Sequence, residues 1–125
     1  MTILVVDDEE LIRTLSQRIL VRAGHEVLLA ESGKAGLQAL HRDPAAIDLV
    51  VVDMSMADLS GTDLLREMRR MRPDLRAIIS SGRRVEELKL PEDLVPNTLF
   101  LQKPYRPQEL IRRVQAATGC VRDVS

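Results

Sequence analysis

Two acids stand side by side at Asp7 and Asp8, directly after the apolar run Ile3 to Val6. A third, Asp53, follows the apolar run Leu49 to Val52, and two later β-rich runs end in Ser80, Ser81 and Gly82 and in Lys103 and Pro104. Brought to one crevice, three carboxylates repel, because two unit charges about 4 Å apart oppose each other by about 4 kcal/mol at an effective dielectric of about 20. A hard divalent cation offsets this, Mg²⁺ above all, since it binds through one or two carboxylates together with waters and a phosphate oxygen. A hydroxyl, a glycine that leaves room and a compact ammonium are in turn what a phosphoryl group needs around it. Pro104 restricts the backbone that aims Lys103. Taken singly, an Asp after a strand is most simply a helix cap, Ser81 a loop serine and Lys103 a solvated charge. All of them at the ends of different runs, in this order, are hard to obtain as independent accidents.

These residues need a scaffold that collects strand ends, and the rest of the chain supplies the pattern for one. Short β-rich runs alternate with helix-length amphipathic stretches, which gives a parallel sheet covered by helices on both faces. The strands are expected at Ile3 to Val6, Glu26 to Ala30, Leu49 to Val52, Ala77 to Ser80 and Leu99 to Gln102. Leu49 to Val52, all apolar, reads as the central strand. Helix one carries apolar Leu11, Ile12, Leu15, Ile19 and Ala23 and stops at Gly24. A short helix follows the cap Ser32, and another follows Ser60 and Asp63, carrying Leu64, Leu65, Met68 and Met71 up to Pro73. The last helix starts near Pro107, carries Leu110, Ile111, Val114 and Ala117, and ends near Gly119. Between strands four and five, Arg83 to Thr98 is the weak place. Val85 and Leu88 give two apolar positions at helical spacing, Pro91 and Pro96 interrupt it, and its charges keep it in water, so one or two turns with little burial are expected. In such a sheet ligands bind outside the carboxyl ends of the strands, and in the order 2-1-3-4-5 the crevice lies between strands one and three. Asp7, Asp8 and Asp53 fall there. Met54, Met56, Met68 and Met71 read as packing, Phe100 on its own spacing as core, and Arg13 and Arg18 as a solvated face.

The composition narrows the function classes. In 125 residues, 18 Lys and Arg against 19 Asp and Glu leave a net charge of −1, with 45% hydrophobic and 30% charged residues, as in an ordinary globular domain. A lone Cys120 supports neither a disulfide framework nor a cysteine zinc site, and His25 and His41 have no partner at ligand spacing. A reducing, cytoplasmic setting is expected. Near-neutral charge and only Phe100 and Tyr105 as aromatics argue against direct nucleic-acid binding. Apolar runs far below the roughly 20 residues of a membrane helix argue against direct membrane contact.

With these pieces in place, the chain resembles the receiver domain of two-component response regulators over nearly its whole length, in ILVVDDEE (Ile3 to Glu10), LVVVDMSMADLSG (Leu49 to Gly61), IISSG (Ile78 to Gly82) and LFLQKPY (Leu99 to Tyr105). The resemblance implies a flavodoxin-like, doubly wound, five-stranded parallel α/β sheet of order 2-1-3-4-5, its helix between strands four and five short or irregular, with a receiver domain over residues 1–119 and a tail over 120–125. It implies that Asp53 accepts a phosphoryl group from the phosphohistidine of a histidine kinase or phosphotransfer domain. Mg²⁺ would be held by Asp8 directly, by Asp7 through water, by Asp53 and by the Ser55 carbonyl. Ser81 and Phe100 would be switch residues, Lys103 the phosphoryl-contacting lysine, and Ser55 and Arg83 side positions that tune dephosphorylation. The downstream protein is left unnamed. Two departures stand out. Ala57 replaces the family's usual proline, which implies a less rigid loop, and the prolines of Arg83 to Thr98 disturb the usual output surface.

Other chemistries fit less well. A dehalogenase-type phosphatase places its nucleophile after strand one in an Asp-x-Asp pattern under a cap, whereas Asp7 and Asp8 are adjacent and no insertion is present. A phosphorylation-independent interaction module on the same fold would normally have lost part of the set Asp7, Asp8, Asp53, Ser81 and Lys103. A flavin-type cofactor binder lacks its phosphate-cradling loop and flanking aromatics. The chain is expected to be a stand-alone receiver or one cut from a larger protein such as a hybrid histidine kinase, for which the Phe100 to Tyr105 run is suggestive.

Overall fold

Side chains alternate across a strand, and in this chain that alternation divides the core in two. Leu4, Val6, Val50, Val52, Ala77 and Ile79 face one layer of helices, and Ile3, Val5, Leu49, Val51 and Ile78 face the other. The computed structural model describes residues 1–83 and 89–118. Its elements are β1 (Thr2–Val6), α1 (Glu10–Arg22), β2 (Glu26–Ala30), α2 (Gly33–Arg42), β3 (Leu49–Asp53), α3 (Gly61–Met71), β4 (Arg76–Ser81), a 3-10 turn at Glu92–Leu94, β5 (Thr98–Gln102) and α4 (Pro107–Thr118). All strands pair in parallel, in the order β2-β1-β3-β4-β5, so the doubly wound α/β sheet is the one expected. Among the described residues no helix is long and apolar enough to cross a membrane.

The first layer is closed by Leu40 of α2 and by Leu64, Leu65 and Met68 of α3. Each is fully buried, which stabilises the fold by about 1.5–3 kcal/mol per side chain. The second layer is closed by Ile19 and Leu20 of α1 and by Leu110 and Val114 of α4. Helix starts follow the capping residues: Ser32 Oγ accepts the Ala35 N–H at 3.0 Å, and Ser60 Oγ accepts the Asp63 N–H at 3.1 Å.

Strands β3 and β4 each end one residue later than expected, at Asp53 and Ser81. Asp53 pairs with Ser80, and Ser81 with Gln102. The Met54 N–H reaches the Ser80 carbonyl at 2.8 Å and the Lys103 N–H the Ser81 carbonyl at 2.7 Å. The ladder therefore fixes backbone on both sides of these functional candidates.

Two expectations are corrected. On α1, the buried residues are Ser16, Ile19 and Leu20, with Ile12 half-buried, while Leu11 is 78% exposed, Leu15 43% exposed and Ala23 exposed. The helix is turned by about one residue because Ser16 can be buried: its hydroxyl pairs with the Tyr105 hydroxyl at 2.6 Å. A polar residue in the buried stripe hid that stripe from the apolar pattern. The turns expected from Val85 and Leu88, the stop at Gly119 and the tail at 120–125 lie outside the described residues. In the part of Arg83 to Thr98 that is described, burial is greater than expected. Leu94 is only 2% exposed and Leu90 packs on the first layer. Arg69 of α3 holds this stretch, donating from Nη1 to the Leu94 carbonyl at 3.0 Å and from Nη2 to the Asn97 carbonyl at 3.1 Å and Thr98 Oγ1 at 2.9 Å. Asn97, with φ 61°, then turns the chain into β5; Asn is among the few side-chain-bearing residues that take this region readily.

Gly61 opens α3 against the end of β3, and a Cβ there would lie 2.8 Å from both the Asp53 carbonyl oxygen and Met54 Cα. Backbone cannot yield as a flexible side chain can. Gly61→Ala is therefore expected to destabilise by about 1–3 kcal/mol, the usual range for overpacking. Gly82→Ala, where a Cβ meets nothing within 4 Å, is expected to change stability far less. Urea denaturation of the two variants gives the comparison, and equal losses would contradict it.

Candidate functional site

The carboxyl ends of β1, β3, β4 and β5 open into a cleft of about 610 Å³ lined by Glu9, Ile12, Asp53, Ser55, Ser81, Gly82, Arg83, Lys103 and Pro104. Carboxylate oxygens of Asp7, Asp8 and Asp53 all lie within 4.8 Å of one another. Register brings them together: Val6 pairs with Val52, so Asp7, just past β1, and Asp53, the last residue of β3, stand at the same level.

Asp7 and Asp53 are nearly fully buried, and Asp8 is exposed. Asp7 is closely engaged, with Oδ1 accepting the Glu9 N–H at 2.9 Å and Oδ2 accepting Lys103 Nζ at 2.8 Å. Asp53 Oδ1 accepts the Ser55 N–H at 3.3 Å and lies 3.4 Å from Lys103 Nζ. Asp8 makes one long bond, Oδ2 accepting the Ala57 N–H at 3.3 Å. Lys103 thus bridges β1 and β3 from the end of β5, with Glu9 Oε1 a third anion at 3.6 Å. The Lys103–Pro104 peptide bond is cis.

The charges act on each other in opposite senses. Burial, then the Asp7 charge, push the Asp53 carboxyl above the ordinary carboxylate range, and Lys103 only partly counters them. Burial by itself would pull the Lys103 ammonium down, but its bond to Asp7 and the charges of Asp7, Asp53 and Glu9 outweigh that and hold it above its usual value. The ammonium stays charged, and Asp7, Asp53 and Glu9 all face it. An oxygen-only donor set with this excess of negative charge suits a hard divalent cation.

Ser81 is buried, and its Oγ accepts the Arg83 N–H at 3.1 Å. Ser55 and Arg83 are exposed and both line the cleft. Phe100 is not in the cleft: it is half-buried against the first core layer and pairs with Ile79. Two contributors escaped the sequence reading. Glu9 was legible only as the residue after the acid pair. Arg13, expected on a solvated face, is half-buried and donates from Nη1 to the Asp7 carbonyl at 2.6 Å.

Because the Asp53 carboxyl is raised in the folded state, the folded chain binds this proton more readily than the unfolded chain does. Ionised Asp53 then opposes folding: the opposition is absent well below the unfolded value near about pH 4, grows as pH rises above that value, and is complete once pH has passed the folded value. Asp53→Asn in metal-free protein is therefore expected to raise stability at pH 7, with a gain that shrinks toward pH 4. Urea midpoints at the two pH values test this; a loss of stability at pH 7 would contradict it.

Residues 3–115 match the family described as the response regulator receiver domain. The sensor kinase CckA of Brucella abortus is 34% identical over 116 residues, which cover 91% of this chain and 12% of that protein. The response regulator SaeR of Staphylococcus aureus is 30% identical over 112 residues, 90% of this chain and 48% of that protein. The chain thus spans about half the length, or less, of these relatives. Among solved structures, a response regulator receiver domain protein from Clostridium thermocellum superposes with a TM-score of 0.85 at 31% identity, covering 99% of this chain and 98% of that one. The receiver domain of the hybrid histidine kinase CckA does so with a TM-score of 0.80 at 29% identity, covering 94% and 99%. With its sheet order, its acid cluster at the strand ends and these matches over nearly all of its length, the chain belongs to the response regulator receiver domains of two-component systems.

Proposed function

We propose that this domain takes a phosphoryl group from a phosphohistidine onto Asp53 in a Mg²⁺-dependent reaction. The observation that carries the reading is the position of Lys103 Nζ, 2.8 Å from Asp7 and 3.4 Å from Asp53 at the mouth of the cleft. A carboxylate oxygen of Asp53 attacks phosphorus in line, the O–P bond forms as the N–P bond breaks, and the imidazole leaves with the electron pair. Asp8, Asp7, Asp53 and the Ser55 carbonyl are the groups that would hold Mg²⁺. Bound there, the ion supplies positive charge to the phosphoryl oxygens as they turn in the transition state.

The remaining work falls to the chain itself. Lys103 neutralises a phosphoryl oxygen with a charge already held in place, so little reorganisation is needed. Ser81, which lines the same cleft as Asp53, donates its hydroxyl to the new phosphoryl group. Phe100, two strands from Asp53 and half-buried, can follow that movement, and the signal is a shift between two packings of β4 and β5. Ser55 and Arg83 flank the path by which water reaches the acyl phosphate. The donor docks on α1, where exposed Leu11 and Leu15 adjoin Ile12 of the cleft wall; such a patch suits the apolar face of a helical phosphodonor.

Incubation with phosphoramidate and Mg²⁺ is expected to add one phosphoryl group to wild type and none to Asp53→Asn, read by intact mass. Labelling of Asp53→Asn to the wild-type extent would overturn the reading. With a histidine kinase found by phosphotransfer profiling, Leu15→Glu is expected to slow labelling while leaving the rate with phosphoramidate unchanged.

The acid pair also differs in what it has left to offer a cation. Asp7 has both oxygens engaged, whereas Asp8 has one long bond. Mg²⁺ affinity is therefore expected to fall further in Asp8→Asn than in Asp7→Asn, measured by calorimetric titration, and the opposite order would reverse the assignment.

A further inference from the structure

The seven residues between β3 and α3 have their own fastenings. Ser55 and Ser60 form an antiparallel bridge, and the Gly61 N–H closes back on the Met54 carbonyl at 2.8 Å. Ala57 leaves the loop without the fixed φ that a proline gives, and an internal bridge alone does not set where the loop stands on the protein.

A second set of contacts does. Asp58 Oδ1 accepts the Gly33 N–H at 3.0 Å, and Asp58 Oδ2 accepts the Lys34 N–H at 2.9 Å. These are the first two residues of α2, whose opening turn has no acidic residue of its own. Helix N-terminal N–H groups lack intrahelical partners and favour a negative charge. Ser32 takes the Ala35 N–H with its hydroxyl and the Gly36 N–H with its carbonyl, so Asp58 and Ser32 together satisfy the first four. Beside Asp58, Leu59 lies over Gly33 so closely that a Cβ on that glycine would stand 2.9 Å from Leu59 Cβ. The bonds from the Lys34 and Gly33 N–H groups also hold the Asp58 carboxyl below the usual range. On its other side the loop reaches the acid cluster, where the Ala57 N–H donates to Asp8 Oδ2 and the Ser55 N–H to Asp53 Oδ1, both at 3.3 Å.

We infer that Asp58 is a positioning residue: it fastens the loop Met54 to Ser60 onto the start of α2 and thereby sets where the Ser55 backbone and the Ala57 N–H stand relative to Asp8 and Asp53. The inference rests on the proposed Mg²⁺-dependent function, since the consequence it names is the geometry of that cation site. Asp58 touches neither the cation nor the phosphoryl group. Its effect passes through one peptide unit to Ala57, and α2 becomes part of the frame of the site.

Ser32→Ala provides the control, because it removes a cap from the same helix start without touching the loop. Asp58→Ala is expected to bind Mg²⁺ about tenfold more weakly, the lower end of losses seen when groups that orient metal ligands are removed. Asp58→Asn, which keeps one acceptor oxygen, should fall between it and wild type. Ser32→Ala should keep the wild-type affinity even though, like Asp58→Ala, it lowers the melting temperature. Hydrogen exchange in metal-free protein should speed up across Met54 to Ser60 in Asp58→Ala and not in Ser32→Ala. Equal Mg²⁺ affinity in Asp58→Ala and wild type, or equal losses in Asp58→Ala and Ser32→Ala, would overturn the inference; if Asp58→Ala does not fold, Asp58→Asn against Ser32→Ala decides in the same way. Wild type that binds no Mg²⁺, with exchange in the loop still raised by Asp58→Ala, would overturn the proposed function and leave the tie standing.

Discussion

One ammonium holds the carboxyl ends of three strands in register. Lys103 Nζ, at the end of β5, stands within 3.6 Å of Asp7, Asp53 and Glu9, and without it buried Asp7 and Asp53 would face each other with no positive charge between them. A buried ion pair gives little net stability once desolvation is counted, and here the acids outnumber the cation. The arrangement therefore stores repulsion at the mouth of the cleft. Such an imbalance favours the arrival of positive charge, which is why the same cluster that burdens the fold is suited to the proposed chemistry.

The rest of the molecule offsets that burden by packing and by the ladder. Strand β3 is buried along its whole length, with sheet neighbours on both edges and helices on both faces. Its last residue, Asp53, cannot move without disturbing the Met54 to Ser80 bond and the close seat of Gly61. Rigid backbone under a charged cluster is what electrostatic preorganisation requires. The stretch before β5 is held separately, by the three bonds that Arg69 donates to Leu94, Asn97 and Thr98 and by the burial of Leu94.

The same economy appears on α1. Burying Ser16 against Tyr105 ties this helix to the loop that carries Lys103, since Tyr105 lies two residues beyond it. It also turns Leu11 and Leu15 outward beside the cleft. A single polar contact within the second core layer thus couples the orientation of the lysine loop to the apolar surface proposed for donor docking.

The local pattern of residues is enough for the elements and their order, because the alternation of apolar residues and the caps Ser32 and Ser60 act over a few residues and leave a local trace. It also determined which polar residues end the strands, and so Asp7, Asp8, Asp53, Ser81 and Lys103 could be picked out before any coordinates. Features that depend on distant partners emerge in the folded chain alone. The outward turn of Leu11 follows from a bond between residues 89 apart, Arg69 acts on Asn97 across 28, and Asp58 reaches Gly33 across 25. Phe100 reads as core from its spacing and as a switch only through the family resemblance, and its packing places it against the first layer, outside the cleft. Charge and hydrogen bonding leave no periodic signature along a chain; they become legible when the fold has brought the partners within reach.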